Sequence, residues 1–98
     1  MEEGEIRMVK VVCHYGLHFS EITGKFEETV EFEGNRLRDL LEVLDGRYHG
    51  RFKKEMIDPG TDALLTRNAV LLERANSNTG PVFSLDSELQ NGDRVTFF

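Results

Sequence analysis

The sequence predicts an α+β domain, a mixed sheet of four to five strands with one main helix packed on one face. Three features carry that reading. Residues 6 to 13 and 25 to 33 are rich in β-branched and aromatic side chains, with the alternation of half-buried strands. Leu37, Leu40, Leu41 and Leu44 fall at i, i+3, i+4 and i+7, the single apolar stripe of a helix lying on a sheet. A short alternating segment, Arg94 to Phe98, follows the turn signature Asn91-Gly92-Asp93.

Taken in order, Ile6 to Cys13 forms a first strand. Ile6, Met8 and Val12 share one face, and Val9, Val11 and Cys13 the other, so the strand belongs inside a sheet. Residues 14 to 24 are an irregular connection holding Leu17, Phe19 and Ile22. From Lys25 the chain alternates again, with Phe26, Val30 and Phe32 set among Glu27, Glu28, Glu31 and Glu33; the two strands make a hairpin. Asn35 is placed to cap the helix, which runs to about His49 with Gly50 as its left-handed terminator. Gly46 inside it costs roughly 1 kcal/mol of propensity. Arg51 to Asp58 reads as a short helical turn carrying Phe52, Met56 and Ile57, and Asp58-Pro59-Gly60 as a turn. Two short strands follow, Ala63–Leu65 and Ala69–Leu72, joined near Arg67-Asn68. Residues 76 to 80 form a polar loop, Pro81 to Phe83 an extended piece, and Leu85 to Leu89 a turn whose leucines anchor into the core. On the last strand Val95 and Phe97 face the core, while Arg94, Thr96 and Phe98 face away.

Bulk properties narrow the function. The 98 residues form one domain, 1–98, with 39% hydrophobic and 31% charged residues. The formal charge of −6 and the scattered basic residues argue against nucleic acid, which needs a clustered Lys/Arg footprint. An acidic surface suits a basic patch on a protein partner. The N-terminus lacks the basic and apolar regions of a signal peptide, and no apolar run approaches bilayer length. The one cysteine, Cys13, precludes an internal disulfide and fits a reducing compartment, so the expected location is cytoplasmic. Cys13 reads as a buried small hydrophobe rather than a reactive thiol. His14, His18 and His49 lack the spacing of a zinc site, and the four glutamates read as a solvated strand face. No nucleophilic triad, phosphate-cradling loop or carboxylate pair is present. No cofactor is expected, and one cysteine cannot hold an iron–sulfur cluster.

A hairpin, a crossing helix and later strands closing on the first make the β-grasp, or ubiquitin-like, arrangement. Particular motifs then resemble the MoaD/ThiS family of sulfur carriers. These are Val9-Lys10-Val11, Leu17 with Glu21-Ile22-Thr23-Gly24-Lys25, the helix Leu37-Arg-Asp-Leu-Leu-Glu-Val-Leu44, and Gly92-Asp93-Arg94-Val95-Thr96-Phe97-Phe98. The resemblance, closest to MoaD, implies a small protein of molybdenum or tungsten cofactor biosynthesis. In that family an E1-like adenylating enzyme activates a C-terminal Gly-Gly carboxylate, which then takes up sulfur. The carrier delivers it to an acceptor such as the precursor held by the large subunit of molybdopterin synthase. The chain itself would be at most the non-catalytic small subunit of that synthase.

No Gly-Gly follows Phe98 in this sequence, so the resemblance implies sulfur carriage for a native chain bearing that tail. For the chain as written it implies a tail-less ubiquitin-like module that binds a partner through its sheet and transfers nothing. In either case Arg94, Thr96 and Phe98 are the candidate partner interface. Leu72 and Leu64 or Leu65 are further candidates to extend it.

Overall fold

The computed structural model describes residues 8–58, 60–61, 63–64, 70–74, 79–82 and 84–98. Ile6, Pro59, Leu65, Ala69, Arg67-Asn68, residues 76–78 and Phe83 lie outside them, and with them those parts of the sequence reading.

The β-branched run after residue 7 forms strand β1, Met8–Tyr15, burying Val9, Val11, Cys13 and Tyr15 on one face. Strand β2, Glu27–Glu33, pairs with it antiparallel from Met8↔Glu33 to His14↔Glu27 and adds Val30 and Phe32 to the same core. The connection is not irregular. It holds helix α1, Leu17–Thr23, which buries Phe19 and Thr23 and ends at Gly24 with φ 78°. Seven residues, two of them β-branched, are too few for helical periodicity to stand out in a sequence. Phe26 falls before the strand and is 65% exposed.

Helix α2, Leu37–Arg47, buries its four-leucine stripe completely. Its N-cap is Arg36, not Asn35, and a neighbouring loop does the capping. The first-turn N–H groups of Leu37 and Arg38 donate to the carbonyls of Ser87 and Leu85 at 2.9 and 2.8 Å. Asp39 Oδ2 accepts from the N–H groups of Asn35 and Arg36 at 3.2 and 3.1 Å. That carboxylate occupies the space a side chain at residue 34 would need, and Gly34, at φ 110°, leaves it open. The helix ends two residues earlier than the sequence suggests, because His49 and Gly50 are both left-handed, at φ 61° and 79°. Helix α3, Arg51–Met56, buries Phe52 and Met56. Short strands β3, Ile57–Asp58, and β4, Ala63–Leu64, pair antiparallel as a separate two-stranded sheet.

Strand β5 spans Val70–Glu73 and β6 spans Thr79–Pro81, so Thr79 and Gly80 belong to a strand rather than to the polar loop. Strand β7, Arg94–Phe97, completes a five-stranded sheet of order β2-β1-β7-β5-β6. It runs parallel to β1 (Val12↔Arg94 to Tyr15↔Phe97) and antiparallel to β5 (Val70↔Phe97 to Glu73↔Arg94). Leu85 and Leu89 are buried between the sheet and α2, as their spacing suggests. Among the described residues no helix is long and apolar enough to cross a membrane.

Phe97 packs within an aromatic cluster, with ring centroids 5.9 Å from Tyr15, 5.9 Å from Phe19 and 5.4 Å from Phe52. It is fully buried, while its neighbour Phe98 is 55% exposed. Phe97→Ala is expected to cost about 3–5 kcal/mol in urea unfolding, and Phe98→Ala less than about 0.5 kcal/mol. Equal losses would show that the last strand is not seated in this register.

Candidate protein-docking face

One face of the five-stranded sheet carries the helices; the other is open. The turn before β7 sets which residues reach the open side. Gly92, at φ 89°, lets the chain reverse, and its N–H donates to Lys10 O at 2.8 Å. Asn91 Oδ1 accepts from Lys10 N–H, and Val12 N–H donates to Asp93 O at 2.9 Å. Asp93 itself is buried. Its carboxylate accepts from Arg74 Nε at 3.1 and 3.2 Å and from Gln90 N–H at 2.8 Å. Arg74 also donates to Glu88 O. Strand β7 therefore starts in one register, with Val95 and Phe97 inward.

Arg94 and Thr96 consequently stand on the open side, as expected from alternation. Arg94 is exposed and lies 3.9 Å from Glu73, its cross-strand partner. Thr96 is half-buried between His14 and Leu71 in the neighbouring strands. Phe98 is exposed just past the strand end. Leu71, not Leu72, continues this row; Leu72 pairs with Val95 and packs against the core. Leu64 lies in β4, in the other sheet. Val12 and Met8 extend the row along β1, beside an open depression of about 480 Å³ lined by Met8, Lys10, Val12, Thr29, Glu31 and Asn91. The surface is mixed, with apolar Met8, Val12 and Leu71 among Lys10, Arg94, Glu31 and Glu73. Such a surface suits a partner that binds and leaves better than permanent burial. Among the described residues it carries no nucleophile hydrogen-bonded to a base.

His14 Nε2 lies 3.3 Å from Glu27 Oε1, within ion-pair distance, but the alignment makes no hydrogen bond. We take this as a loose cross-strand contact. His18 Nε2 lies 2.8 Å from Glu55 Oε1 and ties α1 to α3. The two histidines are thus directed at separate carboxylates, and among the described residues no three His, Cys, Asp or Glu side chains come together.

Glu28 overturns the reading of the four glutamates as one solvated face. Its register position opposite Cys13 turns it to the helix side. Its carboxylate accepts from the hydroxyls of Tyr15 and Tyr48, both at 2.5 Å, and from Arg47 Nη1 at 3.1 Å, with Lys25 Nζ at 3.4 Å. Burial opposes its charge, but the two tyrosine hydroxyls and Lys25 outweigh that and hold the carboxyl below its ordinary value of 4.5. Tyr48 is pushed up to about 12 by burial and by the bond to Glu28. Sequence reasoning missed this network because period-two alternation alone does not mark where a strand edge meets a helix end. The tyrosines at 15 and 48 were the available signal. Cys13 is fully buried, and burial raises its thiol to about 12, which leaves no thiolate at neutral pH.

With this geometry in view, the comparisons are specific. A Pyrococcus furiosus protein described as a putative molybdopterin converting factor, subunit 1, is 33% identical, with 92% of this chain and 95% of that one covered and a TM-score of 0.63. The chain belongs to the MoaD-like family of ubiquitin-like β-grasp proteins. SAMP1 from Haloferax volcanii (17% identity, 91% and 92% covered, TM-score 0.70) shares the fold. So does small archaeal modifier protein 1 from Methanosarcina acetivorans (17%, 93% and 92%, 0.66). No protein-family model and no curated protein sequence matches the chain.

The depressed Glu28 carboxyl contributes stability that is present above pH 4.5 and lost as pH falls through its lower folded value. Glu28→Gln is therefore expected to lower the urea midpoint at pH 7, and the gap to the wild type should close below pH 4.5. A gap independent of pH would mean that the charge is not what matters. Cys13 is expected to react with a thiol reagent at pH 7 only as fast as the chain unfolds.

Proposed function

We propose that this MoaD-like protein is the small, sulfur-donating partner in molybdenum or tungsten cofactor synthesis, in a native chain that ends in Gly-Gly. The observation that carries the reading is the 33% identity, over nearly the whole of both chains, to the Pyrococcus furiosus protein described as a putative molybdopterin converting factor, subunit 1. The geometry agrees with it. The domain offers a docking face and directs the end of its chain past that face, and it needs no catalytic group of its own. An E1-like enzyme would dock on Arg94, Thr96 and Phe98 and adenylate the terminal carboxylate. The large subunit of the synthase would take the same face when sulfur is delivered. A cytoplasmic location fits both partners.

The mixed open face also favours a second reading, a ubiquitin-like interaction module that uses the same surface and transfers nothing. The two readings share the docking residues and differ in the fate of the C-terminus.

Intact mass of the protein from its own organism separates them. The carrier reading expects a C-terminal Gly-Gly, with a fraction heavier by the exchange of one oxygen for sulfur, and ATP-dependent adenylation by the cognate enzyme. A native protein that is never adenylated sinks it. Both readings expect Thr96→Asp, which places a charge at the centre of the face, to weaken partner binding by about tenfold or more. Unchanged binding by that variant removes the open face as the interface.

A further inference from the structure

Gly16 is the N-cap of α1, a position where Ser, Thr, Asp or Asn usually supply an acceptor to the first turn, and it supplies none. Its φ of −69° is accessible to any residue, so conformation does not call for glycine. Space does. A Cβ at this position would lie 3.2 Å from Phe97 O and 3.2 Å from Phe98 Cα. Both are backbone atoms, which cannot rotate aside as a side chain would. The Gly16 N–H also donates to Phe97 O at 2.6 Å.

We propose that Gly16 is a positioning residue that fixes the direction in which the chain leaves the sheet after Phe97. Phe98 has passed the last paired residue of β7, and its side chain is exposed rather than anchored. Close backbone approach to Gly16 is therefore what orients it. Helix α1 is held in turn by Phe19, which packs on Phe52 and Phe97, and by the His18–Glu55 contact. A methyl group at residue 16 pushes the Phe97–Phe98 backbone by a few tenths of an ångström, and any tail beyond swings with it.

The inference rests on the carrier reading and specifies where its precision comes from. In adenylation a carboxylate oxygen bonds to the α-phosphorus of ATP as the bond to pyrophosphate breaks. A misdirected tail slows that step, while docking through Arg94 and Thr96 is untouched.

The test compares the native full-length protein with its Gly16→Ala, Gly16→Ser and Thr96→Asp variants, using ATP and the cognate activating enzyme and following pyrophosphate release. Gly16→Ala is expected to lose about tenfold in kcat, with KM changing far less because Arg94 and Thr96 stay in place and only Phe98 of the docking residues shifts. Gly16→Ser adds the same Cβ while restoring a cap acceptor, so it should hold its urea midpoint and still lose kcat. Thr96→Asp should raise KM instead. Amide shifts should move at Phe97 and Phe98 in both Gly16 variants. Wild-type kcat in a folded Gly16 variant overturns the role of Gly16 and leaves the carrier reading standing. If the wild type itself releases no pyrophosphate, the carrier reading falls. Unmoved amide shifts at Phe97 and Phe98 then overturn the positioning role as well.

Discussion

Strand β7 is hydrogen-bonded to β1 on one side and β5 on the other, so the sheet is continuous only when the chain's last strand is in place. Its pairing with β1 is parallel, and a parallel pair cannot be closed by a tight turn. The register must come from elsewhere, and it comes from the turn ahead of the strand. Asn91 and Gly92 bond to Lys10, Asp93 O bonds to Val12, and the buried Asp93 carboxylate is held by Arg74 and Gln90. One slip of that turn would send Val95 and Phe97 to solvent and Arg94 and Thr96 into the core. The same contacts that stabilise the fold thus decide what the open face displays.

The helix depends on the C-terminal third as well. In helix α2 the Asp39 carboxylate accepts from the N–H groups just ahead of the helix, while the N–H groups of Leu37 and Arg38 are satisfied by backbone carbonyls of residues 87 and 85. Leu85 and Leu89 bury beside them. A helix buried by its own leucines still leaves unsatisfied donors at its end, which would cost free energy if they were sealed from water without partners. The segment before β7 removes that cost, so helix docking and strand insertion support each other. At the far end of α2, Tyr48 and Arg47 reach Glu28 on β2, tying the last helical turn to the sheet edge.

Much of this was legible in the sequence. The leucine stripe, the β-branched first strand and the Asn91-Gly92-Asp93 turn each state a local preference that the fold obeys. The fate of Val95, Phe97, Arg94 and Thr96 follows from alternation alone. Other features depend on distant partners and were not legible. Asn35 looks like a cap, but the cap comes from fifty residues downstream. Helix α1 is stabilised by Phe19 packing on Phe52 and Phe97, aromatic contacts that local propensity cannot foresee. Glu28 shares its side of the strand with Val30 and Phe32, unlike Glu27, Glu31 and Glu33, but that tyrosines from β1 and the end of α2 meet it there depends on distant partners. That Arg94 and Thr96 stand on the open side could be read from the alternation, whereas the proposed role of Gly16 required knowing which strand lies beside it.

The division of the sheet into two unlike faces then has a physical sense. The helix side is sealed by fully buried leucines and aromatics, and at its edge it holds the Glu28 carboxylate among four partners. The open side is deliberately incomplete as a core: Val12, Leu71 and Thr96 are half-covered, and Lys10, Arg94 and the glutamates break any continuous apolar patch. A fully apolar face would associate permanently, and a fully charged one would give little to bury. A protein that visits more than one partner in turn needs the intermediate case, in which binding is specific and release is quick.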